Sequence, residues 1–419
     1  MSPIALRIFN FPPLFTHVDI GTVLLVITRD MMDPPAARER APLSNVCNNV
    51  SVHSQQPPPP VADCLQMNSA LRKAETSLCD DKFFLYHIKP DKMSENDPFT
   101  RISDEMLLHI FKWLPKKTLL RCAEVCRRFN RVSKDDALWV RIDLSGRTLR
   151  CDSLVTILNH RLNIVRMAQT EILCPTQTPV FPFGKAKLQY LDLSMCTIDK
   201  GVLRALLQSC YALRKLSLEN IPLDDAICME IAKNQHMESL NLTMCTGLSA
   251  EGLSAIAAYL TQLQNFNVAW TSISSEAILR LVTLISPTLM RINLAGCRNT
   301  LIDESLATLV RRCPNLVELD VSDCAQLTSK AIDYLCKLPK LEYLSLSRCY
   351  NINTTSYLNL VHLESLLFLD IFGLMSDATL VAVQNALGSI GINKFYHSSI
   401  ARPTIGSRRT SIWGLRTRE

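Results

Sequence analysis

Trp270, Asp323 and Arg348 place an indole, a carboxylate and a guanidinium at equivalent points of a recurring string, each two residues beyond a run of the form LxxLxL. That set suits recognition better than reaction. Tryptophan and arginine dominate interface energetics, and a guanidinium fits carboxylate or phosphate through its planar fork. Strand alternation turns Tyr343, Phe368 and Phe372 to the same side, where exposed aromatics call for cover. The structural alternative has Trp270 filling a gap between repeats, with Asp323 and Arg348 as solvated charges. Groups suited to catalysis are scarce. Eight histidines show no nucleophile or metal-ligand spacing, and twelve glycines form no phosphate-cradling loop. The sixteen cysteines include no CxxC pair, so neither a metal nor a cofactor is expected. Several sit at one repeat position, and Cys210 and Cys313 precede the next string, which reads as small buried thiols kept reduced. A group-transferring thiol must instead be exposed and activated by a neighbour.

The elements that position these residues are set by a period. The strings open at Leu188, Leu213, Met237, Leu263, Leu289, Leu316, Leu341 and Leu366, at intervals of 24 to 27 residues. In six of them a Cys or Asn follows (Cys196, Asn220, Cys245, Cys297, Cys324 and Cys349), suiting a tight turn. Between strings, stretches such as 275–284 and 303–313 space apolar residues by three and four, the mark of an amphipathic helix. One strand-turn-helix unit cannot bury its apolar face, whereas stacked neighbours share a continuous core. The expected α/β fold is a leucine-rich-repeat solenoid over 141–394, with a parallel concave sheet and convex helices. Its strand exits line up Met195, Asn220, Met244, Trp270, Gly296, Asp323, Arg348 and Gly373.

Upstream, residues 1–97 carry Pro34-Pro35 and a proline run at 57–60 without sustained periodicity, and read as disordered. The uncharged run at 20–28 falls far short of the roughly 20 apolar residues that span a bilayer. Neither a membrane span nor, at a net charge of only +6, a nucleic-acid partner is expected. From residue 98 the pattern becomes helical. Met106, Leu107, Ile110, Phe111 and Leu114 fall on one face of a helix that ends at Pro115, a second helix covers 118–133, and a third short one leads to Leu138 and Trp139. Three short helices in about forty residues bury little area, so they need a partner or the next domain.

The string 102–139, with DEMLLHIFKWL, LLRCAEVCRRF and ALW, resembles an F-box. The family opens with Leu-Pro where this chain has Ile102-Ser103, and often carries Trp where Phe129 stands. The tail 398–419, with ARPTIG and IWG, and the late strings SLSRCY and LVRRCPNLVELDVSDC are similar to the S-phase kinase-associated F-box and leucine-rich-repeat family. The resemblance implies an F-box over 98–140 that docks on the S-phase-kinase-associated adaptor of a cullin-RING ubiquitin ligase. Its contact set would be Ile102, Met106, Leu107, Ile110, Phe111, Leu114, Leu119, Leu120, Val125, Phe129 and Trp139. It further implies that Trp270, Asp323 and Arg348 help bind a phosphorylated cyclin-dependent-kinase inhibitor together with a small cyclin-kinase-subunit accessory protein. The implied role is a non-enzymatic substrate receptor of nucleus and cytoplasm; the rival is an adaptor-independent repeat scaffold that sequesters a protein. The tail, 395–419, is expected to fold back over the concave wall with Ile405 and Trp413 as anchors, the alternative being a tail frayed in solvent.

Overall fold

The computed structural model describes residues 98–158, 161–174, 187–404 and 411–417. The expectations for 1–97 and Ile405 lie outside these. Residues 98–103 fall in a separate unit, in which Pro98–Arg101 forms a 3-10 turn. The rest of the described chain is one unit.

This unit begins with α1 (Asp104–Phe111), α2 (Lys116–Val125) and α3 (Arg127–Ser133). The expected single helix over 118–133 is thus two. Cys126 breaks it in extended conformation (φ −155°), and its Sγ accepts the Phe129 amide at 3.4 Å to cap α3. Asp104, at the positive end of α1, takes a 2.7 Å hydrogen bond from Arg128 Nε and a further ion pair from Arg131. The Arg128 bond, aided by Arg131, holds the Asp104 carboxyl below the usual range. Phe111 meets Phe129 edge-on at 5.4 Å, and buried Trp139 donates from Nε1 to the Ser133 carbonyl at 2.7 Å.

Eleven parallel strands then form one sheet. They are β1 (Arg141–Asp143), β3 (Ile164–Arg166), β5 (Tyr190–Asp192), β6 (Lys215–Ser217), β7 (Ser239–Asn241), β8 (Asn265–Asn267), β9 (Arg291–Asn293), β10 (Glu318–Asp320), β11 (Tyr343–Ser345), β12 (Phe368–Asp370) and β13 (Gly391–Ile392). β2 (Thr148–Arg150) and β4 (Glu171–Leu173) pair separately, in parallel. Each strand of the large sheet is in register with the equivalent residues of the next, as Glu318 with Tyr343 and Tyr343 with Phe368. The period showed eight of the eleven. The first two escape it because their strings read Trp139-x-x-Ile142-x-Leu144 and Leu162-x-x-Val165-x-Met167, with other apolar residues in the leucine places; all six are buried. Trp139 therefore belongs both to the helical unit and to the first repeat, which welds the two together.

The helices between strands include α4 (Cys151–Leu158), α5 (Lys200–Ser209), α6 (Asp225–Ala232), α7 (Ala250–Tyr259), α8 (Ser275–Leu284), α9 (Asp303–Arg312), α10 (Lys330–Leu335) and α11 (Asp377–Leu387). Asp199, Asp224, Ser249, Ser274 and Ser376 cap five of them, each accepting a backbone amide of the first turn. The leucine ladders meet between sheet and helices, and most side chains there are fully buried. Not every cysteine is a thiol, contrary to the sequence reading. Cys151 and Cys174, 5.4 Å apart at Cα, form a disulfide across the ends of β2 and β4, a proximity created by pairing of strands that carry no repeat signature.

Candidate functional site

The strand-exit column is shaped by its backbone. At the last residue of six of the eleven strands an Asp or Asn side chain accepts from the amide two residues on: Asp143 from Ser145, Asp192 from Ser194, Asn241 from Thr243, Asn267 from Ala269, Asn293 from Ala295 and Asp320 from Ser322, all at 2.9 to 3.1 Å. This Asx turn swings the chain off the sheet, and the next residue is left-handed. Met195, Asn220, Met244, Trp270, Asp323 and Arg348 have φ between 55° and 61°, and Gly296 and Gly373 hold the same place at 83° and 70°. A left-handed bend repeated at one-strand spacing throws each side chain of the column outward along a common edge. The cysteine after the bend turns inward. Cys245 and Cys349 donate to carbonyls of the preceding repeat at 3.1 and 3.2 Å, and burial pushes both thiols up to about 12. Such thiols carry no thiolate at neutral pH.

At the late end of this edge the three recognition residues form one array. Arg348 Nε donates to Asp323 Oδ2 at 2.9 Å, and its Nη2 also pairs with that oxygen. Arg298 reaches the other carboxylate oxygen at 3.7 Å while its guanidinium lies 5.6 Å over the Trp270 ring. Asp323 is thus clamped between two cations, and its side chain is only 8% exposed while those of Arg298 and Arg348 are 62% and 42%. The Asp323 hydrogen bond, reinforced by its charge, raises the Arg348 pKa. The surface presents two guanidiniums beside a flat indole, with one buried carboxylate fixing them. Trp270 does not fill a gap between repeats: 42% exposed, it lies across Gly296, where a Cβ would come within 2.6 Å of its Cε3. Arg298 is the member that the sequence reading missed, because it lies beyond the turn, outside the periodic column.

Tyr343, Phe368 and Phe372 line the concave side and are half-buried. Phe395 meets Tyr343 and Phe368 edge-on at 5.9 and 5.1 Å, and Tyr396 stacks on Phe372 at 5.0 Å. Tyr343 Oη donates to Asp370 Oδ2 at 2.9 Å. From there the tail crosses the wall. The Ile400 carbonyl accepts from Asn267 Nδ2 at 2.9 Å, the Trp413 ring lies 6.3 Å from Tyr190, and Thr417 Oγ1 is 3.5 Å from Asp143 Oδ2. The strands β14 (Ser411–Ile412) and β15 (Leu415–Arg416) form a small hairpin there. Among the described tail residues Ile400, Ala401 and Ile412 are buried and apolar; Trp413 is half-buried and donates to the Ala401 carbonyl at 3.2 Å.

The helical unit divides its expected contact set in two. Leu107, Phe111, Leu119, Leu120 and Trp139 are buried inside it, and Ile102, Leu114 and Phe129 are half-buried. Met106, Ile110 and Val125 are 60%, 45% and 70% exposed, as is Trp113 at 69%, which the sequence reading did not single out. The apolar residues of α1 therefore do not share one face, as the spacing suggested: 107 and 111 point inward, 106 and 110 outward. Among the described residues no group of His, Cys, Asp and Glu is arranged to hold a metal ion, and no helix is long and apolar enough to cross a membrane.

A family profile described as the SKP2 LRR domain matches residues 118–419. Lysine-specific demethylase 2A of Xenopus tropicalis is 27% identical over 260 residues, covering 56% of this chain and 22% of that protein. Lysine-specific demethylase 2B of Mus musculus is 25% identical over 249 residues, covering 55% and 15%. The chain thus spans about a fifth or less of the length of these curated relatives. Among solved structures, the complex of Rad7 and Elc1 in yeast is similar at 14% identity, covering 80% of this chain and 98% of that one, with a TM-score of 0.40. LegL7 from Legionella pneumophila, a leucine-rich-repeat protein, is similar at 17% identity over 52% of this chain and 77% of that one, with a TM-score of 0.35.

Proposed function

The chain belongs to the SKP2 leucine-rich-repeat domain family, and on that premise we propose that it is a non-enzymatic substrate receptor of a cullin-RING ubiquitin ligase. Its helical unit docks on the S-phase-kinase-associated adaptor, which carries the cullin and RING subunits. The wall holds the target. The observation that carries this reading is an exposed apolar surface at Ile110 and Val125 on a helical unit whose inward residues Leu107, Phe111, Leu119 and Leu120 are already buried. Such residues gain by docking on an apolar groove. Because Trp139 ties that unit to the first repeat, a target on the wall stands at a fixed place relative to the adaptor. Proximity is all that the receptor then has to supply: a held lysine meets the ubiquitin thioester at raised effective concentration.

The target class follows from the late edge. Two exposed guanidiniums beside an indole suit an acidic or phosphorylated peptide, and the finer reading is a phosphorylated cyclin-dependent-kinase inhibitor presented with the small cyclin-kinase-subunit accessory protein. Those partners are at work in nucleus and cytoplasm, where we place the chain. Affinity capture of the full chain tests the reading. Adaptor co-purification that is lost in Ile110→Asp supports it, while a chain that ignores added adaptor is a repeat scaffold that sequesters a protein.

A further inference from the structure

Where the tail passes over the middle of the wall it does not close on it. A cavity of about 400 Å³ remains between them, lined by the first residues of β6 to β10 below and by residues 399–404, Ser411, Trp413 and Gly414 of the tail above. Its lining carries three cations, Lys215, Arg291 and Arg402, against a single carboxylate, Glu318. Those cations are not equally engaged. Arg291 is held at 2.8 Å by Glu318 and donates to Asn265 at 3.2 Å. Among the described residues Arg402 reaches Glu219 at 4.0 Å and has the Asp320 carboxyl nearby, while its Nε is buried without a hydrogen-bond partner. Lys215 lies 5.8 Å over the Tyr190 ring, and among the described residues no carboxylate comes within ion-pair distance of it. Burial lowers its pKa, against the pull of the Glu238 charge nearby, the mark of an ammonium short of water. A buried guanidinium nitrogen without an acceptor and a desolvated ammonium with no described carboxylate at ion-pair distance both suit the same guest.

We propose that this cavity binds a phosphate-bearing anion, held between Lys215 of the wall and Arg402 of the tail. The hydroxyls of Ser239 below, and of Thr404 and Ser411 above, line the same space and supply further donors. A phosphate has the acceptor capacity to meet them together. Since its ligands come from both wall and tail, the site exists only with the tail docked. Binding therefore stabilises the docked tail by linkage. The phosphate belongs either to a small soluble compound or to a phosphorylated side chain of a bound peptide; the chemistry at Lys215 and Arg402 is shared. This site is separate from the Trp270 edge and from the helical unit, so it stands whether or not the receptor reading does.

The test is calorimetric titration of the full chain with pyrophosphate and, separately, with a phosphoserine peptide, alongside melting curves. Saturable binding of at least one probe is expected, with a rise in melting temperature. Lys215→Gln and Arg402→Gln should each weaken it by at least tenfold, and Lys215→Arg should retain it. Binding of pyrophosphate alone assigns a soluble anion, and binding of the peptide alone assigns a phosphorylated side chain. Arg402→Gln also removes a tail contact, so Lys215→Gln, which leaves the tail sequence intact, decides the matter. No saturable binding of either probe, or equal binding by Lys215→Gln, overturns the proposal.

Discussion

The helical unit and the late strand edge expose opposite chemistries. The first offers aliphatic and aromatic side chains on helix faces, while the second offers guanidiniums and an indole held on left-handed turns. An apolar patch gains by burial with little demand on geometry, so it suits a constant partner. Charged groups pre-fixed by a buried carboxylate suit a guest chosen by its own charge pattern. The largest effect should follow from breaking the first. A charge at Ile110 or Val125 would be buried unpaired in the docked state, and Ile110→Asp should cost more than about 2 kcal/mol of adaptor affinity. The melting temperature should hardly move, because both positions are solvent-exposed. Leu107→Asp, on the same helix but pointing inward, should unfold the unit instead. Equal adaptor affinity in Ile110→Asp and wild type, measured by calorimetry, would remove the helical surface from the interface.

The late edge should break differently, through its backbone. Gly296 sits at φ 83° with the Trp270 ring 2.6 Å from where a Cβ would stand. Gly296→Ala should lower stability by about 2 kcal/mol and shift tryptophan emission as the ring is displaced. Gly373→Ala meets only Arg348 Cγ at 3.3 Å and should cost less. Matching losses in the two variants, by denaturant melts, would show that the indole does not rest on Gly296. Next in size is the array itself. Arg298→Ala, leaving Arg348 and Asp323 paired, should weaken capture of an acidic or phosphorylated partner by about 1 kcal/mol while adaptor binding stays put. Loss of both would mean that the substitution had damaged the fold.

The same comparison separates what was legible in the sequence from what was not. The solenoid was legible because leucine returns at a period that only stacked repeats need; β1 and β3 were lost to it where Trp139, Ile142, Val165 and Met167 stand in for leucine. Inward and outward positions on α1 were not separable, because a short helix with apolar residues at 106, 107, 110, 111 and 114 has no polar stripe to mark its solvent side. Cys126 looked like one more apolar residue, and only its extended backbone reveals a cap. The exit column could be read from the period, but its left-handed conformation could not, since Met195, Met244 and Trp270 are poor advertisements for positive φ. Arg298 lies outside every periodic position. That the tail folds back was expected from the exposed Tyr343, Phe368 and Phe372, but its contact points, such as Asn267 to Ile400, 133 residues apart, are encoded by no local pattern.

The smallest effect concerns the Asx turns beneath the edge. Their acceptor is Asn at 241, 267 and 293 but Asp at 143, 192 and 320, and either side chain can receive the amide two residues on. The difference is charge. Burial raises the Asp320 pKa, opposed by its hydrogen bonds from Ser322 and the nearby Arg402. A carboxyl whose folded pKa lies above its unfolded value of about 3.9 contributes stability that is fully present below that value. The contribution is lost as pH rises through the folded pKa. At pH 7 the buried acid therefore costs the fold stability that an amide would not. Asp320→Asn, which places there the residue of the three preceding repeats, should raise stability at pH 7, and the gain should shrink toward zero by about pH 3. Melting curves of both proteins across that range check it. A variant less stable than wild type at pH 7 would mean that attraction between Asp320 and Arg402 outweighs the cost of burial, making the acid a tail anchor.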